Sequence, residues 1–358
     1  MVRYKKGDEE FLRTLKKRVR EYFTDRGLSQ KANSAFYIKG IVLILCYALA
    51  YVLAQINGEN TTVFLSLYAL MGPLAFLIII NIGHDAVHGA ISDRPVINKA
   101  CLLVFDLLGP NSFMWGNRHL GSHHKYQNVA HLDSDIPVVP VLRIFPHFPA
   151  TVLHRYQYLY MPLVYLVYTA HWIIRRDFAD FLSKNIGSYK TNFRWNDLVL
   201  LFIFKVLYFF YIVGAPILFF SVPLWTAIGG FFVLGAAASI CVSLILVSSH
   251  VGDQLEFPLP DENDQLPYTW PEHQLKTTSD FAVDDPVLNF LFGGFNHHTF
   301  HHFFPGTNHV HYPNLTPILK QTALEFGLPY NCEKGLLSSI KMHWKLLYNR
   351  GRKGPQTA

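Results

Sequence analysis

Histidine is the residue type whose number and spacing in this chain most directly suggest chemistry. The chain has 358 residues and 18 histidines. Three clusters stand out: HDAVH at residues 84–88, HLGSHH at 119–124 and HTFHH at 298–302. His250, at the end of a long apolar run, joins them. The candidate metal ligands are His84, His88, His119, His123, His124, His250, His298, His301 and His302.

The spacing within each cluster fits metal binding on a helix. Residues three or four apart lie on one face, about 5–6 Å apart, so two imidazoles can reach one ion. A directly adjacent histidine, such as His124 or His302, points about 100° away and can reach a second ion. One zinc ion takes about three or four ligands, so eight or nine clustered imidazoles exceed the need of one metal. The pattern therefore predicts two metals, although imidazole suits iron, copper, nickel and zinc alike.

The remaining histidines lack this combination of spacing and clustering, and we expect them to pack or to lie at interfaces. They are His131, His147, His154, His171, His273, His297, His309, His311 and His343.

Four long apolar segments must carry these clusters. The composition, 51% apolar and 16% charged, fits a membrane body with a polar cap. Each segment is long enough to cross a hydrocarbon core of about 30 Å at about 1.5 Å per residue. The predicted spans are about 36–56, 62–83, 197–220 and 223–249.

The fold class predicted is therefore an all-α integral membrane protein. Four transmembrane helices are expected, with interfacial helices and a cytosolic helical cap that carries the histidine clusters. Residues 1–35 are predicted to form a cytosolic amphipathic segment facing the membrane, with a helix over 10–32. Residues 36–345 form the membrane domain and residues 346–358 a basic tail.

Basic residues indicate which side of the membrane the clusters occupy. Eleven Lys and Arg lie in residues 1–39, whereas the short connections at 57–61 and 221–223 contain none. Positively charged loops stay in the cytosol, so both termini and all histidine clusters are predicted to be cytosolic. Under this topology, residues 158–174 form an interfacial helix, and Lys205 snorkels to the interface. The basic runs lack the context of a nucleic-acid-binding module.

The residues around the clusters resemble the membrane fatty acid desaturases, in particular bacterial acyl-CoA desaturases related to linoleoyl-CoA and front-end enzymes. Residues 83–89 (GHDAVHG) are similar to the family pattern GHDxxHG. Residues 115–136 resemble WxxxHNxxHHxYTNxxGxDxDI, and residues 293–305 resemble GGLNxQxEHHLFP. The resemblance covers about residues 10–345.

This resemblance implies two iron ions, molecular oxygen as co-substrate, and an acyl lipid that loses two hydrogens. It also implies an external electron donor, of the ferredoxin or cytochrome b5 type with a reductase. The acyl lipid is expected to be linked to CoA or to phospholipid, and the residues alone do not decide between CoA, acyl carrier protein and phospholipid as its carrier. Carboxylates should orient the imidazoles by accepting the second ring N–H, and the candidates are Asp85, Asp133, Asp135 and Asp280. Asn296 and Trp115 lie within the matched motifs and are further candidates to support the ligands or touch the substrate.

Two departures from the family pattern affect selectivity. His298 stands where front-end enzymes usually carry Gln, and Gln127 stands where they carry Thr. A lipid hydroxylase on the same scaffold is the alternative activity. A membrane metal carrier without catalysis is an alternative of another class, which is disfavoured because transport needs ionisable groups near the bilayer midplane.

Overall fold

The structure of the protein is a computed structural model that describes residues 2–7 and 9–354. In chain order, the helices are α1 (Glu10–Arg26), α2 (Ser34–Ile56), α3 (Thr61–Val87), α4 (Pro95–Leu107), α5 (Ser112–Arg118), α6 (Gln157–Leu166), α7 (Tyr168–His171), α8 (Asp177–Leu182), α9 (Trp195–Phe220), α10 (Leu224–His250), α11 (Trp270–Thr277), α12 (Pro286–Leu291), α13 (His298–Phe303), α14 (Tyr312–Glu325) and α15 (Leu336–Arg350). The described residues also form two pairs of short strands: β1 (Asn185–Ile186) with β2 (Tyr189–Lys190), antiparallel, and β3 (Asp280–Phe281) with β4 (Cys332–Glu333), parallel.

The chain divides into two compact units. The first, called the span unit here, comprises Asn33–Arg118 and Pro162–Leu244. The second, called the histidine unit, comprises Met1–Ala32, His119–Met161 and Ile245–Ala358.

Four helices, α2, α3, α9 and α10, are long and apolar enough to cross a membrane, with 23, 27, 26 and 27 residues. They confirm the four spans predicted from the apolar segments. Asn33 and Asn60 precede α2 and α3, and their side chains accept hydrogen bonds from the backbone N–H groups of Phe36 and Val63. Such caps satisfy N–H groups that a helix start leaves without a partner.

Aliphatic residues cover the outside of α2. Ile41, Leu45, Leu49 and Ile56 are all exposed, Ile56 by 71%. A soluble protein rarely exposes such a continuous apolar face. The face is suited to contact with lipid.

The interior of the span unit is aromatic and closely packed. Its core joins α2, α3, α9 and α10 through buried residues such as Phe64, Tyr68, Tyr208 and Phe231. Gly72 of α3 lies so close to α10 that a Cβ atom there would be 2.5 Å from the carbonyl oxygen of Leu234. Small residues allow this close backbone approach between membrane helices.

The predicted role of Lys205 is wrong. Lys205 does not snorkel: it is 4% exposed, and its Nζ donates to Asp177 Oδ2 at 2.6 Å and to the carbonyl oxygen of Gly109 at 2.5 Å. Asp177 is fully buried in α8, so the two charges pair inside the span unit. The Lys205 side chain pairs with an internal carboxylate because a charge that is removed from water needs a partner.

Residues 158–174 do not form one long helix. α6 ends at Leu166, α7 covers only four residues, and a π-helical turn follows at Trp172–Arg176. The segment is absent from the four helices that are long enough to span among the described residues. Its interfacial position remains a prediction.

The amphipathic helix predicted near the N-terminus is present as α1, although it ends at Arg26. Its buried residues Phe11, Leu15, Val19 and Phe23 pack against α13 and α14 within the histidine unit. The apolar face of this helix is therefore covered by protein, and its predicted position at the membrane stays a prediction. At the other end, α15 continues to Arg350, five residues into the predicted tail 346–358, whose residues 355–358 lie outside the described part.

The approach of α3 to α10 can be tested with Gly72→Ala. The added Cβ would meet backbone atoms that cannot rotate away, so the variant should lose about 1–3 kcal/mol of stability. Thermal unfolding of the purified protein in detergent measures the loss. Gly229→Ala is the control, because its Cβ would lie 3.9 Å from the nearest atom, the side chain of Leu65. Equal midpoints for the two variants would contradict the close contact.

Candidate metal centre

The first histidine pair lies at the end of α3, in the span unit. A π-helical turn, Ile79–Gly83, directly precedes His84, and such turns frequently mark functional sites. The rings of His84 and His88 have centroids 5.0 Å apart, in line with the four-residue spacing. Trp115 lies beside them, with its ring centroid 6.1 Å from that of His84, and stacks on Phe105.

Asp85 is buried next to this pair. Its Oδ1 lies 3.8 Å from Nδ1 of His84, which is longer than a hydrogen bond. Lys39 of α2 interacts electrostatically with the same carboxylate. Asp85 therefore contributes charge near the first pair.

The second cluster follows α5 in the chain and belongs to the histidine unit. It begins with a π-helical turn, His119–His123, and ends with the helical turn His124–Tyr126. The rings of His119 and His123 are stacked, with centroids 5.4 Å apart. The ring of His124 is nearly perpendicular to that of His119, at 89°. The adjacent histidine thus points in a different direction from the pair, as the spacing predicts.

The third cluster occupies α13, a helix of six residues that is buried along its whole length. The carboxylate of Asp280 lies at its start and accepts a hydrogen bond from the backbone N–H of Thr299 at 2.7 Å and from the hydroxyl of Tyr330 at 2.5 Å. Burial raises the pKa of Asp280 to about 6, against these hydrogen bonds, which lower it. Asp280 thus supports the backbone of the third cluster.

Asn296 has a similar place before α13. It is fully buried, and its side-chain amide donates to the carbonyl oxygen of Ala282 and to Asn289 Oδ1. Both contacts hold the turn that leads into the third cluster.

Four imidazoles of the histidine unit converge on one point. His123, His250, His298 and His302 each offer a ring nitrogen, and these atoms lie within 4.8 Å of one another. All four residues are buried, and Nε2 of His302 is 3.2 Å from Nε2 of His250. Burial, followed by the neighbouring histidines, holds the pKa of His302 well below its usual value. Its imidazole is therefore neutral, the form that binds metal.

Three further imidazoles of the same unit form a second group. Nε2 of His124 lies 3.1 Å from Nε2 of His119 and 3.1 Å from Nε2 of His301. The second and third clusters thus each contribute to both groups. The adjacent residues 123 and 124, and likewise 301 and 302, divide between the two groups, as the spacing predicts. The spaced pairs do not follow the prediction that they share one ion: His119 and His123 fall in different groups, and so do His298 and His301.

Two of the predicted carboxylates accept hydrogen bonds from these rings. Nδ1 of His123 is 3.0 Å from Asp133 Oδ1, and Nδ1 of His119 is 3.2 Å from Asp135 Oδ2. Burial alone would lower the pKa of His123, but Asp133 outweighs it and the pKa is raised. Burial likewise favours a higher pKa for Asp133, and His123 outweighs it, so that pKa is lowered. The contacts leave Nε2 of each ring directed at the other imidazoles.

Asn128 connects the second cluster to His250. Its backbone N–H donates to Asp133 Oδ2 at 2.9 Å. Its fully buried side-chain amide donates to the carbonyl oxygens of His250, Glu256 and Thr277, at 2.9, 3.1 and 3.2 Å. The backbone of Asn128 has φ +59°, a left-handed conformation that asparagine tolerates better than most residues.

Sequence reasoning did not find three of the residues that contact the candidate ligands. Besides Asn128, the carbonyl oxygen of Thr277 accepts from His250 Nδ1 at 3.3 Å, and the hydroxyl of Tyr312 lies 3.1 Å from His301 Nδ1. Asn128 was within a matched motif and could have been found there. Thr277 acts through its backbone, which its residue type does not reveal.

Several histidines outside the candidate set bond to carbonyl oxygens instead. A ring nitrogen of His147, His154, His273 and His343 lies 2.7–2.9 Å from the carbonyl oxygen of Phe257, Pro140, Gln127 and Val251, respectively. These four ring nitrogens therefore form structural hydrogen bonds within the histidine unit.

Comparison with known proteins gives a consistent answer. A family model described as fatty acid desaturase matches residues 60–334. The sn-1 linoleoyl-lipid 6-desaturase of Synechocystis sp. is 31% identical over 353 residues, which cover 96% of this chain and 96% of that protein. The acyl-lipid (8-3)-desaturase of Physcomitrium patens is 29% identical over 354 residues, covering 96% and 72%.

A third relative, the Delta(5) fatty acid desaturase A of Dictyostelium discoideum, is 32% identical over an alignment of 359 positions, covering 96% of this chain and 75% of its own. The family predicted from the three histidine motifs is thus confirmed. This chain belongs to the fatty acid desaturase family.

Proposed function

We propose that this protein is an oxygen-dependent desaturase that introduces a double bond into a membrane acyl lipid at a di-iron centre. The observation that carries the proposal is the convergence of two groups of buried imidazole nitrogens in the histidine unit. Family membership supports an oxidoreductase acting on lipid acyl chains.

The donor set fits two metal ions. One ion would be held by His123, His250, His298 and His302, whose nitrogens already lie within reach of one another. The other would be held by His119, His124 and His301. His84 and His88, in the span unit, stay predicted ligands on their four-residue spacing and their family motif. Imidazole suits iron as well as zinc or copper, and the family resemblance favours iron.

When bound, the two irons would supply the oxygen chemistry that removes two hydrogens from a saturated carbon pair, with two electrons from outside. The protein's own contribution is to orient the ligands. Asp133 and Asp135 hold His123 and His119 by their Nδ1 atoms, so that Nε2 is the nitrogen presented. Such contacts fix the ring orientation and increase ligand basicity.

A lipid-linked acyl chain is the substrate we propose. The names of the relatives refer to linoleoyl-lipid and acyl-lipid substrates, and the four apolar helices are suited to a bilayer, where such chains lie. The hydroxylase alternative uses the same ligands and differs only in the product. No sequence or structural observation favours it over desaturation.

We further propose that the histidine clusters and both termini are cytosolic. The even number of spans supports a common side for the termini, and the lack of basic residues in the two short connections, 57–61 and 221–223, supports the cytosolic assignment. An external ferredoxin or cytochrome b5 would deliver electrons from that compartment.

Lipid analysis of cells that express the chain tests the reaction. We expect new unsaturated acyl chains, with the double bond located by mass spectrometry, and no such product when oxygen is withheld. Hydroxylated chains without added unsaturation would show that the scaffold works as a hydroxylase.

Replacement of a central ligand tests the metal site. His302→Ala should lower the iron content of purified protein from about two per chain to about one or none and abolish the product, because the group around His250 loses a donor. Elemental analysis by mass spectrometry measures the metal. The His171→Ala variant, altered at an exposed position of the span unit, should retain both the iron and the unsaturated product. Stoichiometric zinc in the active wild-type protein would refute the di-iron assignment.

The role of Asn128 can be separated from its backbone conformation. Asn128→Gly accepts φ +59° readily but removes the hydrogen bonds that the side-chain amide donates to three carbonyl oxygens. The substitution should weaken metal binding by about 10–100-fold. Titration with a chelator gives the affinity. His131→Gly is the matched control, since His131 lies in the same loop with φ +65° and is exposed. Wild-type affinity in Asn128→Gly would exclude a positioning role.

A further inference from the structure

The outer face of α1 carries a stripe of four exposed cations. Arg13, Lys16, Lys17 and Arg20 follow the spacing i, i+3, i+4, i+7, which places them on one side of the helix. Residues 11–20 contain no acidic side chain. Among the described residues, only Lys17 of these four pairs with a carboxylate, that of Glu21 at 3.8 Å, and such an exposed pair contributes little. The exposed carboxylates Glu9, Glu10 and Glu21 lie within one turn of its ends, so the stripe is a positive patch that the protein neutralises only in part.

The opposite face of α1 determines which kind of partner can bind the stripe. An interfacial helix inserts its apolar face into lipid. In α1 that face, formed by Phe11, Leu15, Val19 and Phe23, is already buried in the histidine unit. The cations therefore point away from the protein, and the apolar side chains nearest to them on the helix, Leu12 and Tyr22, are themselves half-buried against the histidine unit. A soluble, negatively charged partner fits this surface better than a bilayer does.

A single aromatic layer separates α1 from the third histidine cluster. Phe11 contacts Phe303 edge to face, with ring centroids 5.9 Å apart, and Phe303 directly follows His302 in α13. In the same core, Phe300 packs on Tyr312 with centroids 5.2 Å apart. The Tyr312 hydroxyl lies 3.1 Å from His301 Nδ1. A partner bound to the stripe would be connected to two candidate ligands through packed side chains and one short helix.

We propose that this stripe, formed by Arg13, Lys16, Lys17 and Arg20, is the docking surface for an acidic one-electron carrier protein. The proposal rests on the proposed function, in which desaturation consumes two electrons from outside. The carrier gives up one electron in each encounter, so two encounters supply both. Opposite charges steer such encounters and fix the orientation of the partner without requiring a large apolar interface.

The test compares two charge reversals of equal size on the full-length enzyme. Lys16→Glu with Lys17→Glu changes the stripe, whereas Lys334→Glu with Lys341→Glu makes the same change at exposed positions elsewhere in the histidine unit. Each protein is placed in nanodiscs of phosphatidylcholine. Binding of oxidised plant-type [2Fe–2S] ferredoxin, and separately of the soluble domain of cytochrome b5, is measured at low and at physiological salt.

The stripe variant should bind the preferred carrier at least about tenfold more weakly and lose most of the salt dependence, because rim charges mainly set electrostatic attraction. The control variant should change by less than about threefold. Iron content and thermal midpoint of both variants should equal those of the wild type, which separates docking from loss of the metal site.

Three results would overturn the proposal. The first is that neither carrier binds the wild type at low salt. The second is that the two double variants bind the carrier equally well. The third is a lipid contact: anionic phosphatidylglycerol in the nanodisc abolishes carrier binding to the wild type. Failure of the desaturase assignment is recognised independently, because the wild type would then form no unsaturated lipid in the product analysis.

Discussion

The mutual approach of neutral imidazoles is the constraint on which the rest of this protein depends. Nitrogen atoms such as Nε2 of His302 and His250 lie 3.2 Å apart inside a buried core. Metal binding requires both nitrogens to be unprotonated, and two facing lone pairs then repel, so the metal-binding arrangement requires support from outside the group. The support comes from acceptors behind the rings: Asp133 for His123, Asp135 for His119, and the Thr277 carbonyl for His250. A metal ion between the nitrogens would then satisfy them.

The supporting residues explain why the histidine unit is built from distant parts of the chain. The second cluster, the end of α10 and the third cluster come from three separate segments, and each brings ligands to the same group. Asn128 donates to the backbone of one segment while its own N–H holds the carboxylate that orients another. Asp280 and Asn296 do the same for the turn before α13. Loss of one contact would therefore displace more than one ligand.

The sequence predicted the helices and the histidine clusters better than the contacts between them. Apolar length located the four spans to within a few residues. Histidine spacing predicted that adjacent histidines divide between two groups, but it wrongly placed His119 with His123 and His298 with His301. Long-range contacts were predicted less well. The Asp133 contact followed from chemistry, because a buried imidazole needs an acceptor. The Thr277 carbonyl and the Tyr312 hydroxyl did not, since neither residue type indicates a contact with a ring many residues away.

Lys205 is a further residue whose long-range contact the sequence did not reveal. A lysine near the end of an apolar span is expected to reach the interface, yet here it donates to Asp177 inside the span unit. Asp177 also accepts from the indole N–H of Trp172 and the backbone N–H of Asn111. The nearby Arg118, 1% exposed, pairs with Asp180 at 2.6 Å. Burying these charges is tolerable only because each has partners.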